Sequence, residues 1–418
     1  MLSRLTGLLS ALVASAALVA CATPPATDHA APPAAAARAE AADLVMLISI
    51  DGFRPDYLGQ GVTPVLDRLA AEGATGSMQP SFPSVTFPNH YTLVTGLHPD
   101  RHGVVGNRFS DPALGTFSMS SKETGWWNQA EPIWVTAEKA GVRSGVMFWP
   151  GSEVEIDGVR PGRWVPFDQS LTGDARVDIA LSWQDLPADQ RPRLGTLYFD
   201  IVDTAGHQHG PRAPGTRAAA ASVDASIGRL VDGLKARGLW ERTVLLIVSD
   251  HGMAETSPER VAVIDDLIDP AALRIAYSGA VVMADPAPGR EAEVQGRLIG
   301  RHDHLECFNK ADLPSRLAYG ANPRVPAVIC LVDPGWLALT RDRPVRGVGG
   351  AHGYDNQAPD MQALFIAHGP GVARGRRVEG FRSVNVQPLI GRLLALPVPP
   401  GGDGDARASD QVLEAGGT

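Results

Sequence analysis

The sequence has few cysteines, few aromatic residues and no block of basic residues. Only 3 of the 418 residues are cysteine, and Phe, Trp and Tyr together make up 6%. The net charge of -9 is spread along the chain, which argues against non-specific binding to the nucleic-acid backbone. Beyond the N-terminus no apolar run is long enough to span a bilayer. The remaining composition, 44% hydrophobic and 20% charged, is typical of a folded soluble protein.

The N-terminal segment has the features of an export signal. Residues 1–20 carry one positive charge at Arg4, continue through a short apolar stretch and end in small residues before Cys21. The stretch LVAC resembles a bacterial lipobox, in which the signal is cut before the cysteine and the cysteine is lipid-modified. An ordinary signal peptide, with Cys21 incidental, is the alternative. We expect a lipoprotein on the periplasmic face of the bacterial outer membrane, or otherwise a soluble periplasmic protein.

Two low-complexity segments flank the part of the chain that is expected to fold. Residues 21–42 are rich in Ala and Pro and lack large apolar side chains, which predicts a flexible tether. Residues 397–418 are rich in Pro and Gly, which predicts a loose C-terminal tail. The folded part therefore spans residues 43–396, enough to bury an extensive core.

Short apolar runs alternate with helical patterns. The clearest helix pattern covers residues 217–237 and ends before a glycine. Because strand, helix and strand follow one another, we predict an α/β fold, a three-layer α/β/α sandwich with a mostly parallel central sheet. The runs that predict buried strands are LVMLISID (44–51), RLGTLYFDIVD (193–203), TVLLIVSD (243–250) and MQALFIAHG (361–369).

The region of about 261–346 is less regular, and we interpret it as a cap or subdomain inserted into the same fold. It contains Cys307 and Cys330. In an oxidising compartment the two can pair, but their spacing fits a disulfide and two unpaired buried thiols equally well. Both possibilities stay open.

Acidic residues at strand ends and several histidines form a candidate metal centre. Ligands of parallel sheets gather outside the carboxyl ends of the strands, where three aspartates are expected. Taken singly, an aspartate at a strand end is often a turn former and a histidine beside glycine is often an ordinary loop residue. Six together, with carboxylate and imidazole groups that both suit zinc, predict two metal ions. The candidate ligands are Asp51, Asp203, His207, Asp250, His251 and His352.

The motifs around these residues resemble those of the nucleotide pyrophosphatase/phosphodiesterase family, within the alkaline phosphatase superfamily. They follow the order of that family over about residues 44–396, which is more specific than any single motif. The resemblance implies an alkaline phosphatase-like sandwich, with residues 43–396 as the catalytic phosphodiesterase domain. The matching stretches are SIDGFRPDYL, PSFPSVTFPNHYTLVTGLHPDRHGVVGNRF, EPIW, FWPGSEVEI, YFDIVDTAGHQHGP, VSDHGM and GAHGYDN.

The resemblance also implies how the metals and the nucleophile are arranged. One zinc ion is assigned to Asp203, His207 and His352, and the other to Asp51, Thr86, Asp250 and His251. Thr86 is then the nucleophile, because coordination lowers the pKa of its hydroxyl, and it forms a covalent phosphothreonine. The other ion is expected at the leaving oxygen, so that the pair stabilises both ends of an in-line displacement.

Further positions of the family correspond to substrate-binding residues. Asn107 resembles the side-chain amide that donates to a non-bridging phosphate oxygen, and the backbone amide of Phe87 at a helix N-terminus is expected to assist. Phe87 and Tyr198 match positions that stack a nucleobase, and Trp164 is a looser candidate for the same role. Because stacking tolerates any base, this slot implies broad nucleotide specificity.

The expected substrate is a phosphodiester. A monoester carries two negative charges and favours a cationic pocket, whereas the stretches near the site contain no Lys-x-Arg pair. Arg54 and Arg108 are near site residues in sequence. Because these arginines could supply positive charge, a phosphate monoesterase is the alternative. Among diesters, a substrate with a phospholipid head group is a second possibility beside nucleotides. The sequence gives no indication of the oligomeric state.

Other members of the superfamily and a non-enzymatic role are disfavoured. A sulfatase needs a Cys/Ser-x-Pro-x-Arg stretch at the nucleophile position, and none is present there. A cytoplasmic phosphoglycerate mutase would use serine and manganese, in conflict with Thr86 and the export signal. A surface-anchored binding protein that has lost catalysis is a further alternative, but Thr86 and all six predicted ligands are intact.

Overall fold

A computed structural model describes residues 42–414, so the predicted signal peptide, Cys21 and all but the last residue of the predicted tether lie outside the described residues. The strands in this range are β1 Leu44–Ile50, β2 Ala74–Gln79, β3 Phe109–Asp111, β4 Gly115–Phe117, β5 Ser144–Met147, β6 Arg163–Val165, β7 Leu194–Phe199, β8 Thr243–Val248, β9 Ala254–Thr256, β10 Val261–Val263, β11 Leu273–Tyr277, β12 Val281–Pro286, β13 Gly300–His302, β14 Leu305–Asn309, β15 Val328–Val332, β16 Leu337–Leu339, β17 Gly349–Ala351, β18 Ala363–His368 and β19 Arg376–Arg382.

The α-helices alternate with the strands of the large sheet. They are α1 Pro64–Glu72, α2 Thr86–Thr95, α3 Pro99–His102, α4 Ile133–Lys139, α5 Gly173–Ser182, α6 Ile201–His209, α7 Pro214–Ala236, α8 Glu291–Arg297 and α9 Val386–Leu394. In the part of the chain that the structure describes, no helix combines the length and apolar character needed to cross a bilayer.

The central sheet has eight strands in the order β19-β2-β18-β8-β1-β7-β5-β6. Every neighbouring pair is parallel except the two pairs that include β18. Successive side chains of a strand point to opposite faces, and β1 is buried along its whole length. Val45 packs in one core with residues of α2 and α9, and Met46 packs in the other with residues of α7. Helices therefore cover both faces, which confirms the predicted three-layer sandwich.

The region predicted as an insertion forms its own antiparallel sheet. Five strands lie in the order β11-β12-β15-β14-β13, and β10 pairs with β16 beside them. Apolar side chains of these strands, with neighbouring ones, form a third buried cluster. Cys307 and Cys330 occupy paired positions on β14 and β15, and their sulfur atoms are joined at 2.01 Å. The structure thus selects the disulfide from the two possibilities.

The predicted loose tail is wrong for residues 397–414. Val412 and Leu413 are buried, and Leu413 forms a β-bridge with Val372. Asp403 accepts hydrogen bonds from the backbone N–H of His98 at 2.8 Å and from the guanidinium of Arg101 at 2.6 Å. The Pro and Gly content hid this packing, because the few apolar and acidic side chains that make these contacts are scattered along the segment.

Candidate active site

The first group of candidate ligands lies at the ends of two adjacent parallel strands. Asp51 follows β1, and Asp250 and His251 follow β8, the strand beside it. All three residues are buried. Gly52, between the two groups of ligands, has φ +67°, and a Cβ there would lie 3.2 Å from the Cα and Cβ of Asp203. Only glycine therefore suits this turn without displacing a ligand.

The second group combines a helix with a loop from the other side of the site. Asp203 and His207 lie one turn apart on α6, which starts directly after β7, so both side chains share one helix face. His352 follows β17, and its Nε2 atom lies 3.1 Å from Nε2 of His207 and 3.5 Å from Oδ1 of Asp203. Within each group the ligand atoms lie within 4.8 Å of one another. The structure therefore brings all six predicted ligands into two clusters.

Backbone carbonyls orient the three histidine rings. Nδ1 of His207 contacts the carbonyl oxygen of Gly350 at 2.7 Å, and Nδ1 of His251 contacts that of Gly252 at 2.9 Å. Nδ1 of His352 contacts the carbonyl oxygen of Ser84 at 3.0 Å. A carbonyl oxygen only accepts, so Nδ1 must carry the proton and Nε2 keeps a free electron pair. This is the arrangement typical of histidines that ligate a metal through Nε2.

The charges of the site fit bound cations. Three buried carboxylate oxygens have no hydrogen-bond donor among the described residues: Oδ1 of Asp51, Oδ1 of Asp203 and Oδ2 of Asp250. Burial raises the pKa of Asp51, and the charge of Asp250 raises it further; burial also raises the pKa of Asp203. Burial acts to raise the pKa of Asp250 as well, but His251 and His90 lower it overall. Buried carboxylates without donors are costly unless a cation neutralises them, and this mixed carboxylate and imidazole set suits a borderline metal ion.

Thr86 is the first residue of α2 and lies beside the first group. Val85 before it is extended, and the Thr86 hydroxyl is half-buried with Oγ1 3.4 Å from Nε2 of His251. The N–H of Phe87 donates to Oδ1 of Asn107 at 2.9 Å. This backbone amide is thus bound to Asn107 in this structure, and its contact to phosphate stays a prediction. The same bond fixes the Asn107 amide group with its NH₂ free to donate.

The candidate ligands open onto an apolar cavity. Its volume is about 380 Å³, and its walls include Thr86 and Asn107. Tyr198 is nearly buried, and its hydroxyl donates to Oδ2 of Asp51 at 2.6 Å, so this ring also holds a candidate ligand in place. Six aromatic side chains contribute to the walls: Phe87, Trp127, Phe148, Trp149, Phe167 and Tyr198.

Trp164 does not line this cavity. It lies on β6, at the edge of the central sheet, where its ring is 36% exposed and faces the Arg160 guanidinium at 5.8 Å. Phe167, three residues later, occupies the cavity wall instead, with its ring 6.0 Å from that of Tyr198. Sequence reasoning missed Phe167 because an aromatic residue after a short edge strand shows no periodic signal of its orientation.

Neither arginine near the site in sequence contributes charge to the cavity. The buried Arg54 guanidinium points to the carbonyl oxygen of Met253 and to the carboxylates of Asp56 and Asp360. Arg108 is exposed and is not among the lining residues. The cation that does line the cavity is Lys122, and its ammonium group pairs with Glu153, another lining residue. Lys122 and Glu153 lie 31 residues apart, and this pair is not apparent from the sequence.

Two adjacent ligand clusters at the carboxyl edge of a covered parallel sheet, beside a hydroxyl and an aromatic cavity, define a metal-dependent hydrolase of the alkaline phosphatase type. The family profile for "Type I phosphodiesterase / nucleotide pyrophosphatase" matches residues 45–355. The chain therefore belongs to the nucleotide pyrophosphatase/phosphodiesterase family, as its motifs indicated.

Individual relatives agree with this assignment. An uncharacterised pyrophosphatase/phosphodiesterase of Schizosaccharomyces pombe is 37% identical over 382 residues, covering 85% of this chain and 78% of that protein. Ectonucleotide pyrophosphatase/phosphodiesterase family member 1 of Rattus norvegicus is 37% identical over 372 residues. That match covers 85% of this chain but only 41% of the rat protein, so this chain spans about two fifths of that relative.

Solved structures show the same fold. Murine ectonucleotide pyrophosphatase/phosphodiesterase 5 superposes with a TM-score of 0.84 at 34% identity, covering 88% of this chain and 100% of the murine chain. An inactive threonine-to-alanine variant of the murine protein in complex with AMP gives the same TM-score at 33% identity, with the same coverage. These matches confirm the alkaline phosphatase-like fold.

Proposed function

We propose that this enzyme uses two zinc ions to hydrolyse phosphodiester or pyrophosphate bonds of nucleotides and release nucleoside monophosphates. The observation that carries this proposal is the position of Thr86: its Oγ1 atom lies 3.4 Å from His251 Nε2, and the residue lines the same cavity as members of both ligand groups. The murine relative in complex with AMP supports a nucleotide as the substrate.

The residues divide the proposed chemistry between them. Asp203, His207 and His352 would hold one zinc ion, and Asp51, Thr86, Asp250 and His251 the other. Bound there, the ions would supply Lewis acidity, which lowers the pKa of the threonine hydroxyl and neutralises negative charge on the leaving oxygen.

The reaction proceeds in two displacements. Thr86 Oγ1 loses its proton to solvent and forms a bond to phosphorus while the bond to the leaving oxygen breaks, which gives a phosphothreonine that still carries the nucleoside. Water then attacks phosphorus and releases Thr86 with the nucleoside monophosphate. The Asn107 NH₂ group donates to a non-bridging oxygen, where negative charge concentrates in each transition state.

The apolar cavity suits a nucleobase. Phe87 lines it close to Thr86, and Phe167 and Tyr198 line it with their rings 6.0 Å apart. Rings of this kind stack on any base, because every base has a π-face, and therefore favour broad nucleotide specificity. Phe167 takes the stacking role that the sequence suggested for Trp164.

The charge of the cavity favours a diester over a monoester. Lys122 is paired with Glu153, and no arginine is among the described residues that line the walls. A dianionic monoester thus finds no unpaired cationic side chain, whereas the apolar walls stabilise a second organic group. We expect kcat/KM for a nitrophenyl nucleotide diester to exceed that for nitrophenyl phosphate by at least about a hundredfold. Steady-state assays of the purified protein with both substrates measure this ratio.

Equal or faster turnover of the monoester would instead support the monoesterase alternative. If neither substrate were hydrolysed by protein reconstituted with zinc, the silent binding protein would become the better account. Hydrolysis of phosphocholine esters in preference to nucleotide diesters would point to a phospholipid head group.

We also propose that the chain is held at the periplasmic face of the outer membrane by a lipid on Cys21. The LVAC stretch and the small residues before it support this proposal. Cells that express the protein should incorporate labelled fatty acid into it, and the Cys21→Ser variant should lose both the label and its membrane fractionation. Label retained by Cys21→Ser would reject the anchor at this residue.

A further inference from the structure

A short segment of the inserted region runs beneath the loop that carries Asn107. This supporting segment, residues 319–324, precedes β15, and both of its largest side chains, Tyr319 and Arg324, are buried. The Asn107 loop above it, residues 103–111, runs from the end of α3 through β3 and places Asn107 at the cavity. The two segments are more than 200 residues apart in sequence, as the separation of 221 between Arg324 and Gly103 shows.

Arg324 binds backbone and side-chain oxygens with all three of its guanidinium nitrogens. Its Nη1 donates to the carbonyl oxygens of Gly103 and Trp126, both at 3.0 Å, and Nη2 donates to that of Gly125 at 2.7 Å. Its Nε donates to Oδ2 of Asp111 at 2.9 Å. One buried guanidinium therefore joins both ends of the Asn107 loop to the backbone that leads into the cavity wall.

Tyr319 holds the middle of the same loop. Its hydroxyl donates to the carbonyl oxygen of Val105 at 2.6 Å, two residues before Asn107, and its ring packs edge-on against Phe82 at 5.3 Å. Burial raises the pKa of Tyr319, so the hydroxyl stays protonated and able to donate. The supporting segment thus binds the Asn107 loop at Gly103 and Val105, before Asn107, and at Asp111, after it.

The supporting segment is itself fixed to the core. The Asp100 carboxylate of α3 accepts three consecutive backbone N–H groups, those of Gly320 at 3.0 Å, Ala321 at 2.7 Å and Asn322 at 3.2 Å. An interaction of this kind between a carboxylate and several N–H groups is strong. The segment therefore provides a rigid base, and a small shift of that base would move the Asn107 amide.

We propose that Tyr319 and Arg324 are positioning residues for catalysis, which act through Asn107 by holding its NH₂ group where charge develops on phosphate. This inference rests on the proposed function, and specifically on the role of Asn107 as a donor. It assigns the inserted region a part in catalysis, because the buried base of a catalytic loop comes from that region. Donors that are fixed before the reaction stabilise the transition state more than the bound substrate.

The test compares Tyr319→Phe and Arg324→Lys with the wild type on a nitrophenyl nucleotide diester. We expect kcat to fall about tenfold in each variant while KM changes less than about twofold, because the loss concerns the transition state. Thr243→Val is the matched control, since it also removes a buried hydroxyl donor to a carbonyl, that of Leu239 at 2.8 Å, but at the opposite end of β8. This control should lose stability and keep kcat. If Arg324→Lys does not fold, Tyr319→Phe alone carries the test.

A double-mutant cycle with Asn107→Ala decides how the effect arises. Asn107→Ala should lower kcat about a hundredfold, and adding Tyr319→Phe to it should cause no further loss. The positioning role would be overturned if Tyr319→Phe lowered kcat equally in both backgrounds, or if it lowered stability without lowering kcat. Either result would leave the role of Asn107 intact. An unchanged kcat in Asn107→Ala would instead reject Asn107 as a donor, and the inference with it.

Discussion

Replacing Thr86 with alanine is expected to reduce diester hydrolysis by at least about ten-thousandfold, because the variant lacks the oxygen that attacks phosphorus. The fold should be unaffected. The described hydrogen bond of the Thr86 side chain is the 3.4 Å contact to His251, and the backbone of Thr86 starts α2 whatever its side chain. The inactive threonine-to-alanine variant of the murine relative, in complex with AMP, indicates that nucleotide binding survives such a change in that protein.

Kinetics and a binding assay separate loss of chemistry from loss of structure. Thr86→Ala should bind a nucleoside monophosphate with an affinity close to that of the wild type and should unfold at a similar temperature. Thr86→Ser keeps a hydroxyl and should retain much more activity than the alanine variant. Residual turnover in Thr86→Ala above about a hundredth of the wild-type rate would contradict a threonine nucleophile.

Removing the metals is expected to abolish turnover and to lower the unfolding temperature by several degrees. Ions that bind only the folded chain stabilise it by about 4 kcal/mol when their concentration is about a thousand times Kd. Without them, the orphaned oxygens of Asp51, Asp203 and Asp250 remain buried and repel one another. Chelation followed by thermal unfolding and by re-addition of zinc measures both effects.

Asp203→Asn provides the matched variant for this experiment. The asparagine side chain has nearly the same shape as aspartate but carries no negative charge. The chelated variant should therefore be at least as stable as the chelated wild type. Its gain in stability on adding zinc should be smaller, because one ligand of a cluster is weakened. A wild-type protein whose stability and activity do not respond to chelation, and which contains no metal by elemental analysis, would contradict the metal centre.

The two clusters of candidate ligands could be predicted from the sequence because strand ends determine where they lie. Asp51 and Asp250 follow apolar runs that read as buried strands, and the carboxyl ends of adjacent parallel strands meet. Asp203 and His207 follow a third such run, with a spacing that places both on one face of a helix. The sequence pattern and the family motifs therefore agree on these positions.

The orientation of side chains and backbone amides at the cavity could not be predicted in the same way. Whether Trp164 or Phe167 reaches the wall depends on the twist of a three-residue edge strand and the turn after it. The bond from the Phe87 amide to Asn107 depends on a loop conformation that the supporting segment fixes from a distant part of the chain. Such contacts join residues that are remote in sequence, and neither hydrophobic periodicity nor composition predicts them.

The stereochemical course at phosphorus tests the covalent phosphothreonine most directly. A nucleoside phosphorothioate nitrophenyl ester of one configuration is hydrolysed in water labelled with a heavy oxygen isotope. The product is then phosphorylated stereospecifically, and phosphorus NMR shows whether the labelled oxygen is bridging, which gives the configuration. Two in-line displacements, first by Thr86 and then by water, each invert phosphorus, so net retention is predicted. Net inversion would mean that water attacks the substrate directly and would contradict the account.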